Sequence, residues 1–356
     1  MKRVLIAPLD WGLGHATRCI PVISEFRRQG CDVVVAGSGD SLALLQKEFP
    51  DLPSFSLPAY RPRYPLHGSM IWAMASQLPR FLKVISDEHR AIERIIDHEN
   101  IDVVISDNRY GCWSSRAHCV FITHQSNILM PKRFGWLQNV VSRLSETMIR
   151  RFDACWVPDF PEAQSLAGNL ISNAVSHTAI KTEFIGWLSR FERKGDAEKK
   201  LDVAAIFSGP EPQRTQMENA VVPQLEKSGL SYRAVRGLPS VQSIPSNNRM
   251  VNFLLTEELQ ACIESADIII ARSGYSTVMD MQRLAKNVIF IPTPGQTEQE
   301  YLANRLKDKG IAFFMKQDEF DLQQALQHAK NYRGFDDLPL KGMLRETVAS
   351  ILNLKW

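Results

Sequence analysis

Short apolar runs that alternate with helix-period stretches confine this chain to a parallel α/β architecture. Val4-Leu5-Ile6-Ala7 ends in a Gly-bearing turn. Over 15–29 the apolar Ile20, Ile23 and Phe26 then recur at helical spacing, Gly30 closes the segment, and 32–36 supplies a second apolar run. A βαβ unit of this kind needs both faces of its sheet covered, which points to a doubly wound fold. Further strands are expected at 102–106, 119–123 and 154–157, with helical patterns at 70–97 and 136–150. Charge rises over 190–200 (RFERKGDAEKK), a solvated stretch without apolar period, and the alternation then restarts at 201–207, 232–235, 250–253, 267–271, 288–291 and 311–314. The expectation is two Rossmann-like doubly wound domains, 1–189 and 201–356, joined by a charged linker at 190–200 and facing each other across a ligand cleft. A last helix over 340–354 is left open between the two, a return to the N-terminal domain included.

Composition agrees and removes several classes. The 356 residues, at about 150 per domain, give two domains, and 44% hydrophobic residues can fill two cores. A formal charge of +3 is too small for an electrostatic nucleic-acid binder. The six cysteines form no CxxC pair, so neither a zinc ribbon nor a dithiol redox motif is indicated, and a reducing cytoplasm is the expected setting. Residues 4–8 are too short for the apolar region of a signal peptide, and no uncharged apolar stretch reaches membrane-spanning length.

In open α/β sheets the chemistry lies beyond the carboxyl ends of the strands, and four such loops stand out. The first, Leu9-Asp10-Trp11-Gly12-Leu13-Gly14-His15, enters a helix with two glycines that allow close backbone approach. Thr17 replaces the third glycine of a dinucleotide fingerprint and no acid ends the second strand, which disfavours an NAD enzyme. His15, in the first helical turn, is held neutral by the helix dipole and is either a proton acceptor or a simple cap. The second loop, Ser208-Gly209-Pro210-Glu211-Pro212, leads to Arg214, a diphosphate partner or a surface arginine. In the third, Arg272-Ser273-Gly274-Tyr275-Ser276-Thr277, hydroxyls and N–H groups suit a phosphate. Asp280 shares a face with Ser276 and Thr277, where it accepts from ribose hydroxyls or complements the dipole. The fourth, 292–300, presents Gln296, Gln299 and Glu300, side chains of the kind that read sugar hydroxyls. Three phosphate-compatible helix starts without a P-loop lysine favour a nucleotide-sugar.

These loops resemble the MurG-like glycosyltransferases of family 28, which have the GT-B fold and use a UDP-sugar. Gly12-Leu13-Gly14-His15 is similar to that family's Gly-rich loop, whose histidine lies at the acceptor side. The stretch 266–280 is similar to its C-terminal signature, and 296–303 to its donor-sugar loop. The resemblance implies Phe253 and Leu254 by the base, Asp280 by the ribose, and Ser208, Gly209, Arg214, Ser273 and Gly274 by the diphosphate. Arg272, Ser276 and Thr277 belong to the same donor set, and Gln296, Gln299 and Glu300 would face the hexose. Asp280 stands where the family has Glu, and Leu302 where it has Asn.

The implied activity is an inverting, metal-independent transfer of a hexose or N-acetylhexosamine from a UDP-sugar to a hydroxyl, with no other cofactor; no DxD triplet occurs in the chain. His15 is the expected base. Asp10 and Asp107, each just beyond a strand, are rival bases or partners that orient it, and Gly12, Gly14, Asn108 and His124 are placed on the acceptor side. His124 is equally open to a structural hydrogen-bonding role. A UDP-sugar epimerase and a non-catalytic nucleotide-sugar-binding subunit stay open as alternatives. Lys132, Arg133, Arg143, Arg150 and Arg151, interspersed with Phe134 and Trp136, suit either a core-facing amphipathic helix or peripheral contact with the inner face of a membrane and a lipid-linked acceptor.

Overall fold

The computed structural model describes residues 1–62, 70–125, 135–161, 164–171, 180–193, 195, 198–242, 248–336, 338 and 342–353, without the side chains of 70–75 and 135–141. The first half runs β1 (Arg3–Pro8), α1 (Gly14–Arg28), β2 (Asp32–Gly37), α2 (Gly39–Glu48), β3 (Ser54–Ser56), α3 (Met70–Glu99), β4 (Val103–Asp107), β5 (His118–Ile122), α4 (Gly135–Ile149), β6 (Ala154–Val157) and β7 (Lys181–Phe184). Its parallel sheet has the order β3-β2-β1-β4-β5-β6-β7. The second half runs β8 (Leu201–Ile206), α5 (Gln213–Lys227), β9 (Tyr232–Val235), β10 (Met250–Val251), α6 (Thr256–Glu264), β11 (Ala266–Ala271), α7 (Tyr275–Arg283), β12 (Val288–Phe290), α8 (Thr297–Asp308), β13 (Phe313–Phe314), α9 (Leu322–Ala329) and α10 (Met343–Leu352). Its parallel sheet has the order β10-β9-β8-β11-β12-β13.

The central strands are apolar on both faces because both are covered. In β1, Val4 and Ile6 join Ile20 and Ile23 of α1 in one core, while Leu5 and Ala7 join Ile92 and Ile95 of α3 in another. Full burial of a Leu or Ile is worth about 1.5–3 kcal/mol, so this alternation fixes which helix covers which face. In each sheet the chain turns back beside its first strand, between β1 and β4 and between β8 and β11. Ligands bind at such switch points. There Pro8 is in register with Asp107, and Ile206 with Ala271.

The departures from expectation have physical causes. β3 and β7 are short and partly polar, so no apolar run announces them. The expected strand at 250–253 stops at Val251, and that at 311–314 shrinks to its last two residues. Arg190 and Phe191, which charge alone assigned to a solvated hinge, are instead enclosed: Phe191 is in the core and the Arg190 side chain is 8% exposed. α10 packs back on α1, where Gln29 Nε2 donates to the Arg345 carbonyl at 2.9 Å and Val348 and Ile351 join the core of Ile20 and Ile23. The basic-aromatic segment from Met130 to Trp136 lies outside the described residues and side chains. No described helix is long and apolar enough to cross a membrane.

Candidate active site

His15 occupies the first turn of α1, beside the carboxyl end of β4. Its Nδ1 lies 2.9 Å from Asp107 Oδ1 and 2.8 Å from Arg18 Nη2. Asp107 is fully buried and is clamped by the Arg18 guanidinium through Nε and Nη2. Burial alone would raise the Asp107 pKa, but Arg18 and His15 outweigh it and hold the carboxyl well below the usual carboxylate range. It is therefore a fixed anion rather than a proton acceptor near neutrality. Nδ1 thus faces two groups of opposite kind, an ionised oxygen that takes its proton and a donor-only guanidinium nitrogen that needs its lone pair, and the tautomer with Nε2 free to accept a proton is the one that Asp107 favours. Burial, then the Arg18 charge, lowers the His15 pKa against the opposing pull of Asp107, so the ring is neutral at pH 7.

Asp10 has a different setting. Its Oδ2 accepts from the Tyr60 backbone N–H at 3.0 Å, and Arg109 Nη2 stands 3.9 Å from Oδ1, which has no hydrogen-bond partner among the described residues. Asp10, Gly12, Gly209 and Arg214 line one side cavity of about 510 Å³. Asn108 adopts left-handed backbone (φ 57°) in the turn after β4, and its N–H donates to the Ile122 carbonyl.

The residues expected at the donor converge from strand-end loops of the second half. Ser208, Phe253, Leu254, Ser276, Thr277 and Asp280 line a cavity of about 80 Å³ together with Leu13, Gly14 and Thr17 of the first half. Arg190 lines it too, with Nε 3.9 Å from Asp280 Oδ2 and with Nε and Nη1 lacking hydrogen-bond partners among the described residues. Asp280 accepts from Ser189 Oγ at 2.7 Å, and burial, against the pull of Arg190, raises its pKa to about 6.

Other expected donor contacts are already engaged within the protein. Arg214 is buried and bonded to Glu211, Glu218 and Thr215, so its cation is neutralised before any diphosphate arrives. Arg272 donates to the carbonyls of Ile291, Pro292 and Gln213 and to Gln317 Oε1; it braces two loops from beneath rather than facing the cavity. Ser273 Oγ donates to the Gln299 carbonyl at 2.8 Å, while Gly274 caps α7. Gln299 Oε1 and Glu300 Oε1 accept from the Thr293 and Gly295 N–H groups and so shape the loop before α8. Gln296 Oε1 has no hydrogen-bond partner among the described residues. Leu302, where the resemblance has Asn, is wholly buried in the core.

The halves touch at the glycines. Gly12 (φ 80°) needs the left-handed region, and a Cβ there would meet Gly209 Cα at 3.6 Å. Ser276 Oγ donates to the Gly14 carbonyl at 2.7 Å. Farther along, His124 stacks on Tyr275 with centroids 4.5 Å apart and the Tyr275 hydroxyl donates to the Pro158 carbonyl. His124 Nε2 lies 3.0 Å from Glu298 Oε1, and Gln125 Nε2 donates to Glu298 Oε2.

A profile of the glycosyltransferase family 28 C-terminal domain matches residues 213–334. Curated relatives are similar along nearly the whole chain. An uncharacterized glycosyltransferase of Methanosarcina mazei is 24% identical over 332 residues, covering 86% of this chain and 85% of its own. The UDP-N-acetylglucosamine--N-acetylmuramyl-(pentapeptide) pyrophosphoryl-undecaprenol N-acetylglucosamine transferase of Haemophilus ducreyi is 22% identical, covering 91% and 88%. Among solved structures, Acinetobacter baumannii MurG superposes with TM-score 0.54 at 15% identity, covering 99% of this chain and 100% of its own. The glycotransferase of kitacinnamycin does so with TM-score 0.61 at 15% identity, covering 99% and 98%.

The chain is a glycosyltransferase of GT-B fold.

In this glycosyltransferase, the expected donor loops and the His15 loop meet across one interface. Three residues of that interface escaped sequence reasoning. Arg190 was hidden in a charged run, Glu298 lay unremarked in the polar loop 292–300, and Arg18 belongs to no motif. The one available signal was spacing: Arg18 follows His15 by one helical turn and so shares its face.

Proposed function

We propose that the enzyme transfers a hexose or N-acetylhexosamine from a UDP-sugar to a hydroxyl of a lipid-linked or glycan acceptor, with inversion and without a divalent metal. The observation that carries this reading is the cavity in which Phe253, Leu254, Ser208, Asp280 and Arg190 surround a space capped by Gly14, the neighbour of His15. Phe253 and Leu254 offer apolar contact to a base, Asp280 accepts from ribose hydroxyls, and Arg190, which pairs with Asp280 at 3.9 Å but has no hydrogen-bond partner at Nε or Nη1 among the described residues, supplies a buried cation for the diphosphate. Ligand pockets run to about 300–1,000 Å³, so a space of about 80 Å³ takes a nucleotide-sugar only when Gly14 and Ser276 part.

In the reaction, His15 Nε2 removes the acceptor proton as the oxygen attacks the anomeric carbon. The bond from that carbon to the diphosphate oxygen breaks on the opposite face, and UDP leaves. Helix N-termini at α5 and α7, with Arg190, offset the charge that grows on the leaving group. Asp107 keeps the Nδ1–H tautomer in place throughout.

Support for UDP-N-acetylglucosamine as donor, and for a lipid-linked acceptor, comes from the activity of the Haemophilus relatives. Exposed Leu78 and Leu82 on α3, and Leu144 beside exposed Arg143 on α4, supply apolar and basic surface for a peripheral membrane position. Co-sedimentation with anionic vesicles at low salt, lost at high salt, is the expected result; no co-sedimentation removes the membrane position.

The test of function is a thermal-shift panel of UDP-sugars and other nucleotide-sugars. A ligand at a hundred times its Kd stabilises by about 2.7 kcal/mol, a shift readily seen. A UDP-sugar is expected to raise Tm and to be consumed only when an acceptor is added. A response confined to another nucleotide overturns the donor class, and conversion of the sugar without acceptor overturns transfer.

A further inference from the structure

The base candidate is wired to the opposite domain. Glu298 lies in the first turn of α8, next to Gln299 of the donor loop, and its carboxylate accepts from His124 and Gln125 of the first half. Arg18 Nη1 contacts His124 Nδ1 at 2.8 Å, and a guanidinium has only donors, so Nδ1 must accept and the His124 proton sits on Nε2, aimed at Glu298. The same guanidinium holds Asp107, which faces His15 Nδ1. Burial alone would raise the Glu298 pKa, but His124, then Arg18 and His15, pull it below the usual range, so the carboxylate stays charged inside the interface.

We propose that Glu298 is a positioning residue for transfer: by fixing the tautomer of His124 it orients Arg18 and Asp107, so that His15 reaches its proton-accepting form only when the donor domain is engaged. This rests on the reading of His15 as base. Closure and base activation then become one event. The relay is complete with the halves in contact, and parting them to admit the donor leaves Arg18 without its His124–Glu298 anchor until they close again. Hydrolysis of the donor in the open state is thereby suppressed, because water meets a base that is not yet set.

A double-mutant cycle on the full-length enzyme tests the coupling. Glu298→Gln keeps the shape and removes the charge; Glu298→Ala removes both. Glu298→Ala is expected to lower kcat about tenfold or more, within the factor of about 10²–10⁴ that a positioned base supplies, and Glu298→Gln less, with KM for the UDP-sugar within about threefold of wild type in both. Combining Glu298→Ala with His124→Ala is expected to cost no more than either alone, since the two act along one path. Nitrogen-15 NMR of the imidazoles is expected to show His124 as the Nε2–H tautomer in the wild type and in Glu298→Gln, whose amide oxygen can still accept, and as a tautomer mixture in Glu298→Ala. Additive losses or, in Glu298→Ala, an unchanged kcat, a loss confined to donor KM or an unaltered His124 tautomer overturns the proposal. His15→Ala is measured alongside: turnover near wild type there overturns the base reading itself, whereas additivity in the cycle overturns only the coupling.

Discussion

Ser276 donates its hydroxyl to the carbonyl of Gly14 across the domain interface, at 2.7 Å. A Cβ on Gly14 would stand 3.2 Å from that same Oγ, tighter than an ordinary contact. Gly14→Ala should therefore displace Ser276 and slow turnover, whereas Ser276→Ala should cost only the single hydrogen bond, about 0.5–1.5 kcal/mol. The combined variant, with the clash removed, should turn over faster than Gly14→Ala alone. Steady-state kinetics on the three variants decides it, and a double variant slower than Gly14→Ala counts against the steric account.

The two members of the His15–Asp107 pair should fail differently. His15→Ala removes a half-buried base and is expected to lower kcat about 10²–10⁴-fold with a melting temperature close to wild type. Asp107→Asn strands the Arg18 cation in a dry site, a loss of about 3–5 kcal/mol, and should melt the enzyme earlier. Equal loss of stability in both variants would remove the distinction.

The pH dependence of donor binding follows from Asp280. Burial raises its pKa to about 6, so the carboxylate proposed to accept from the ribose is present above that value and is lost as pH falls through it. UDP-sugar affinity should be level above pH 7 and decline below 6; the diphosphate diester itself does not titrate there. Asp280→Asn should bind more weakly with a flat profile, measured by calorimetry between pH 5 and 8. The acid limb of kcat, by contrast, should lie below the ordinary histidine range, because burial and Arg18 lower the His15 pKa and the neutral ring is the active form.

Two buried arginines offer a direct contrast. Arg190 has uncommitted N–H groups in the donor cavity, and Arg190→Ala should weaken UDP-sugar binding by about 1.5–3 kcal/mol, the worth of a charge-assisted contact. Arg214 is already paired with Glu211 and Glu218. Its removal should lower Tm through the lost Glu211 and Glu218 pairs, softened because Arg236 still holds Glu218, and change UDP-sugar affinity less. Calorimetry showing the reverse order would return Arg214 to the diphosphate.

What could be read from the residues alone followed the range of the forces involved. β1, β4, β8 and β11 announce themselves because burial on both faces demands unbroken apolar runs, and the loops after β1, β8 and β11 because glycine and hydroxyl residues mark helix starts. β7, with the sequence Lys-Thr-Glu-Phe at a sheet edge, needs no such run and left no mark. The relay from His15 to Glu298 was invisible for a different reason. Arg18 finds Asp107 and His124 at separations of 89 and 106 residues, and His124 finds Glu298 at 174, so no local pattern encodes them. Leu302 shows the converse: a position aligned with a donor contact by likeness of sequence is, by burial, part of the core.

The return of α10 onto α1 means that the chain, having left the first half after β7, meets it again at Met343–Leu352. A single tether permits twisting as well as opening. A second connection, together with the bonds from Ser276 to Gly14 and between His124 and Glu298, restrains the twist. α1 begins one residue before His15 and its last turn lies against α10, so the helix that carries the imidazole also carries this return contact, with Pro21 between the two.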